Sequence, residues 1–146
     1  MLNRLAGRLD RHRGWGVLAL RLAIGVRLIE GTQDNVFSSE RMEEFARFLA
    51  AHGTPAPHAA AYLSAYAQFI CGILFVLGLF TRPAGLVMTI NFVAALIIAH
   101  RATTFLQTWP ALMMLAAALY FLFCGAGSLS LDRLTRLEVP RSDRRG

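Results

Sequence analysis

Charge is scarce in this chain: 16% of its 146 residues are Asp, Glu, Lys or Arg, while 55% are hydrophobic. That balance excludes an ordinary soluble domain, where about a quarter of the residues are charged. A mean hydropathy of +0.47 points to a membrane instead. Lysine is absent, so all fifteen cationic side chains are arginine. Cysteine is limited to Cys71 and Cys124, with no Cys-x-x-Cys. Helical rise puts the two thiols about 17 and 24 Å from the outer face, whereas a disulfide needs Cα atoms within roughly 7 Å. Both are therefore read as buried structural thiols. The four histidines, His12, His52, His58 and His100, are scattered, and without ligand spacing no metal site is expected. No phosphate-binding glycine loop, nucleophile elbow or dinucleotide fingerprint occurs, which argues against enzymology on soluble cofactors.

What the chain has is apolar length. Four stretches, about 15–33, 59–80, 83–100 and 108–124, approach the roughly 20 helical residues that cross a bilayer. The expected fold is all-α: a polytopic membrane protein with a four transmembrane-helix bundle over 15–126. It is flanked by a basic cytoplasmic segment at 1–14, which Leu2, Leu5 and Leu9 suit to a short amphipathic helix on the leaflet, and a charged cytoplasmic tail at 127–146. Between the first two spans, Met42, Phe45, Phe48 and Leu49 alternate with Glu40, Glu43, Glu44 and Arg47. That pattern predicts a short amphipathic interfacial helix at about 39–52, capped by Ser38 or Ser39 and stopped at Gly53. Thr81 is the expected N-cap of the third span and Gly125 or Gly127 the stop of the fourth. An even number of spans puts both Arg-rich ends on one side, which the positive-inside bias makes cytoplasmic. The basicity thus encodes topology and attraction to anionic lipid, and no nucleic-acid partner is expected.

Polar groups inside apolar spans are expensive and mark candidate sites. Glu30 ends the first span within Arg27-Leu-Ile-Glu-Gly-Thr-Gln33-Asp34. By helical rise it shares an outer layer with Gln33, Tyr66, Gln68, His100 and Trp109. These side chains are expected to line a polar small-molecule pocket at the periplasmic end, with Glu30 and His100 as proton-carrying residues and Arg27, Gln33, Tyr66, Gln68 and Trp109 as ligand contacts. The alternative is structural: Arg27 and Glu30 neutralise each other at i, i+3 spacing. A second, inner layer comprises Arg21, Asn91 and Tyr120, with Asn91 expected to bond between helices.

Several motifs resemble those of the DoxX family of small bacterial membrane proteins: Arg21-Leu-Ala-Ile-Gly25 with Glu30-Gly-Thr-Gln33, Gly78-Leu-Phe-Thr-Arg82-Pro83, Asn91-Phe-Val-Ala-Ala ending in His100, and Gly125-Ala-Gly-Ser-Leu-Ser-Leu-Asp132. Many members carry histidine where this chain has Glu30, so a histidine-based metal or haem role is not carried over. The resemblance implies a bacterial inner-membrane protein of four helices, associated with quinone-linked or thiol-linked redox systems. The expected function is an integral subunit of such a system, with a quinone in the outer pocket and a redox partner subunit or a second copy beside it. The alternative is a non-catalytic scaffold or assembly factor. Transport is less attractive, because no inverted repeat is present.

Overall fold

The computed structural model describes residues 2–99 and 105–134. Within them the chain is helical: α1 (Leu2–Phe37), α2 (Ser39–Ala51), α3 (Pro57–Leu77), α4 (Thr81–Ala99), α5 (Phe105–Cys124) and a final turn, α6 (Leu131–Leu134). Two of these, α3 and residues Thr81–Ile98 of α4, are long and apolar enough to cross a bilayer on their own. The apolar part of α5, Thr108–Cys124, is shorter, and the apolar run of α1 is broken by the charged Arg21, Arg27, Glu30 and Asp34. Four spans of equal standing, as expected from composition, are therefore not what the helices present.

α1 also runs without a break through the boundary that composition suggested near residue 14. Neither proline nor a capping residue interrupts it there. Gly14, which could have ended the helix, lies against Ser128, whose hydroxyl stands where a Cβ would project. At its far end α1 turns sharply into α2 through Ser38 alone. Ser38 is extended (φ −124°, ψ 119°), and its hydroxyl accepts from the Arg41 amide at 3.4 Å, which makes it the N-cap. The apolar face of α2, carrying Met42, Ala46 and Leu49, packs onto Ala61 and Ala65 of α3.

α1 packs along α3, α4 packs along α5, and α3 joins the pairs. The core between them holds Leu28, Cys71, Phe75, Met88, Ala118 and Phe121, with the Phe75 and Phe121 rings 4.7 Å apart. α1 and α3 touch backbone to backbone. A Cβ on Gly25 would stand 2.8 Å from the Gly72 carbonyl oxygen, and one on Gly72 would stand 2.9 Å from that of Gly25. Small residues at helix contacts are how helices gain dispersion energy where lipid removes the hydrophobic drive. Outside the core the large side chains are apolar: Leu63 is 75% exposed, Ile90 63% and Phe123 69%. Continuous exposed apolar surface on this scale belongs against lipid.

The turn between α3 and α4 is closed from a distance. Gly78 ends α3 in the left-handed region (φ 68°). The Asp132 carboxylate, 51 residues beyond Thr81, accepts from the Phe80 amide at 2.6 Å and the Thr81 amide at 3.0 Å, while the Asp132 amide donates to the Gly78 carbonyl at 2.9 Å. Thr81 is therefore the first helical residue and not the cap, a correction to the sequence reading. An acidic side chain satisfies the free amides and meets the positive end of the α4 dipole. Asp132→Ala is expected to lower stability by about 1 to 2 kcal/mol, read as faster heat inactivation in a detergent-solubilised unfolding assay. Asp132→Asn should recover part of the loss.

Candidate functional site

One cavity of about 550 Å³ opens beneath α2, walled by α3 and α4 and reached by Ala111 of α5. Its position follows from the packing of α2. Met42, Ala46 and Leu49 lie against α3, which leaves Phe45 and Phe48, one helical turn apart, to roof the space. Below them the wall is built of small and branched apolar side chains, including Ala67, Ala94 and Ile98.

Four polar side chains break that wall: Thr54, Ser64, Gln68 and Asn91. The Gln68 amide donates to the Ser64 hydroxyl at 3.0 Å, one turn away on α3, which fixes the carboxamide along the cavity wall. Thr54 is 9% exposed, and its hydroxyl is buried without a hydrogen-bond partner. An orphaned buried hydroxyl costs about 1 to 3 kcal/mol, a cost that a ligand acceptor or donor would remove. No Asp, Glu, His, Arg, Tyr or Cys lines the cavity among the described residues, and its polar side chains suit binding and orientation. Leu63, Val87 and Ile90, all exposed, frame the mouth between α3 and α4. The opening therefore presents an apolar rim.

The sequence-chosen residues divide. Gln68 and Asn91 share this cavity; the structure thus moves Asn91 away from Arg21 and into the company of Gln68. Glu30, Arg27, Gln33 and Asp34 are exposed on α1, which contributes nothing to the lining. Tyr66 stacks on Tyr62 at 6.2 Å on the exposed flank of α3. Trp109 is 45% exposed, Tyr120 packs edge-on against Phe121 at 5.7 Å, and His100 lies outside the described residues. Cys71 is buried, but Cys124 is exposed, which corrects the reading of both as core thiols. Among the described residues no three His, Cys, Asp or Glu side chains are grouped to hold a metal.

Arg21 is the other departure. It is 2% exposed, and its Nε donates to the Phe75 carbonyl at 2.8 Å. Its Nη1 donates to the carbonyls of Ala126 at 2.8 Å and Leu129 at 3.1 Å. Gly78 is open to it because a side chain there would occupy the guanidinium. Three of the sequence motifs, the Arg21 segment, the Gly78 turn and the Gly125–Asp132 exit, thus converge on one knot at the end of the molecule remote from α2.

Sequence reasoning missed Thr54 and Ser64 in the cavity and Asp132 in the knot. Thr54 stands between Gly53 and Pro55 and reads as a loop residue, and Ser64 gives no signal in an apolar helix. Asp132 was visible as the end of a motif, but its partners, Phe80 and Thr81, lie in another motif. The family model that matches the chain is DoxX, over residues 16–101, which takes in α2, α3, α4 and most of α1. No curated protein and no solved structure matches the chain. With more than half of its length covered by that model, and with helices suited to a membrane, the chain belongs to the DoxX family of membrane proteins.

Proposed function

We propose that this DoxX protein spans the bacterial inner membrane four times, with both Arg-rich ends cytoplasmic, and holds a lipophilic carbonyl compound of the quinone class beneath α2 as part of a redox system. The observation that carries the reading is the apolar cavity of about 550 Å³, whose few polar groups are two carboxamides, the Ser64 hydroxyl and the unsatisfied Thr54 hydroxyl. Its volume falls within the range of small-molecule sites, which are likewise mostly apolar with a few polar groups fixing orientation. The Gln68 and Asn91 amides can donate to ring carbonyl oxygens, Thr54 can donate to a third acceptor, and the Phe45 and Phe48 rings cover the ring face. The apolar mouth at Leu63, Val87 and Ile90 suits a ligand arriving from lipid. Glu30, facing away from the cavity, takes no part in binding.

The test is equilibrium binding of a short-tailed quinone to detergent-solubilised protein, with mass spectrometry of the organic extract. Wild-type protein should retain a quinone and rebind the analogue. Gln68→Leu and Asn91→Leu should each weaken binding about tenfold, the equivalent of one lost hydrogen bond to a buried group. Ala67→Phe, which fills the cavity, should abolish binding, and Glu30→Gln should leave it unchanged. Equal affinity in wild type, Asn91→Leu and Ala67→Phe would refute the site.

A further inference from the structure

Among the described side chains of α1, from residue 14 onward, the buried positions are Arg21, Gly25, Leu28 and Thr32. At 100° per residue, the face diametrically opposite carries Gly16, Ala19, Ala23, Arg27, Glu30 and Asp34, all of them exposed. Nothing stands within 4 Å of a Cβ built on Gly16. Arg27 and Glu30 form no ion pair with each other, nor with any other charged side chain, among the described residues.

The register of α1 against α3 sets the depth of these charges. Gly25 crosses Gly72 and Arg21 bonds to Phe75, so helical rise brings Glu30 level with about Ala67, near the middle of α3 (Pro57–Leu77). In the four-span arrangement proposed above, on which this inference rests, an unpaired arginine and an unpaired glutamate would face hydrocarbon close to the centre of the bilayer. Ionised groups at that depth are found paired or facing protein, not lipid.

We propose that this face is the interface of a parallel homodimer, in which Arg27 of each copy pairs with Glu30 of the other. The charges are self-complementary, as a two-fold axis along the membrane normal requires. The Arg27 guanidinium runs along α1 towards Gly31, with Nη1 2.8 Å from where a Gly31 Cβ would lie. Its charge therefore sits at the height of Glu30, so two helices related by the axis bring each guanidinium opposite a carboxylate without tilting either chain. Below the charges, Gly16, Ala19 and Ala23 let the two backbones approach, the small-residue pattern of packed membrane helices. The two ion pairs give orientation, and the stripe gives close contact.

The test uses the full chain with Cys71 and Cys124 replaced by serine. With Ala23→Cys added, mild oxidation of membranes should give a disulfide-linked dimer, whereas Leu63→Cys on the opposite flank should not. In detergent, native mass spectrometry should show a dimer that Arg27→Glu or Glu30→Arg weakens about tenfold or more. The exchange Arg27→Glu with Glu30→Arg should restore it, because the reciprocal pairs are re-formed with opposite sense. Monomeric wild type in both assays, singly substituted chains that dimerise like wild type, or a different protein co-purifying on a monomer would overturn the proposal. Labelling of Ala23→Cys in sealed membranes by an impermeant maleimide would overturn the spanning arrangement, and the interface with it. Failure of the dimer without such labelling overturns the interface alone.

Discussion

Arg21→Ala is expected to cost about 3 to 5 kcal/mol, the range for removing one member of a buried charged cluster. Such a loss is a large fraction of the stability of a small domain, so the variant should be recovered in low yield and aggregate on extraction. The reason is the number of groups one side chain serves. Its guanidinium satisfies the carbonyls of Phe75, Ala126 and Leu129, and the Asp132 carboxylate attracts its charge. That carboxylate in turn caps α4 through the amides of Phe80 and Thr81. Alanine would leave the carbonyls without a donor and remove the attraction between the guanidinium and the carboxylate. Arg21→Lys keeps the charge but not the planar fork of donors, and should recover part of the stability and most of the yield. Both outcomes can be read from the fraction remaining monodisperse after stepwise heating. An Arg21→Ala protein as heat-resistant as wild type would show that the knot contributes little.

Gly25→Val should be nearly as damaging, by overpacking. Its Cβ would approach the Gly72 carbonyl oxygen to 2.8 Å and the Val76 amide nitrogen to 3.0 Å. Both are backbone atoms of α3 and cannot rotate aside, so the helices must separate. Overpacking a close contact costs typically about 1 to 3 kcal/mol, and separation also removes the dispersion that holds α1 to α3. Cys71, next to Gly72 and 5% exposed, reports the opening. In a Cys124→Ser background, Gly25→Val should make Cys71 reactive towards a thiol reagent that leaves the parent protein unmodified. Unchanged reactivity would mean that the crossing can relax elsewhere.

The two effects differ in how visible they were in the sequence. Gly25 lay in a recognised motif, but its partner Gly72 did not stand out among the small residues of the second apolar stretch. Helical rise alone puts Arg21, a charge at membrane depth, in one layer with Asn91 and Tyr120. Rise gives height along one helix and says nothing about which chain segment returns to that height. The residues that answer Arg21 are carbonyls of Phe75, Ala126 and Leu129, and a backbone acceptor has no sequence signature. Asn91 and Gln68 show the opposite case. Helical rise from opposite ends of their spans puts them in separate layers, and the antiparallel packing of α3 and α4 puts them in one cavity.

The outer polar cluster illustrates a further limit. Helical spacing correctly places Arg27 and Glu30 on one face of α1, but it does not say whether that face looks inward or outward. The buried side of α1 is chosen by Arg21, Gly25, Leu28 and Thr32, and the cluster then lies on the opposite side.

By itself, the sequence determined the all-helical character, the membrane setting and membership of the DoxX family. Each depends on local quantities: apolar length, helical periodicity, and motifs read in order. Only the tertiary structure decided which polar residues meet. It tied Arg21 and Asp132 into one knot, joined Gln68 to Asn91 beneath α2, and left Glu30 on the outside of α1. The hydrogen bonds of the knot span up to 108 residues of sequence separation. They depend on the small differences in register and rotation by which helices pack, which composition and periodicity do not encode.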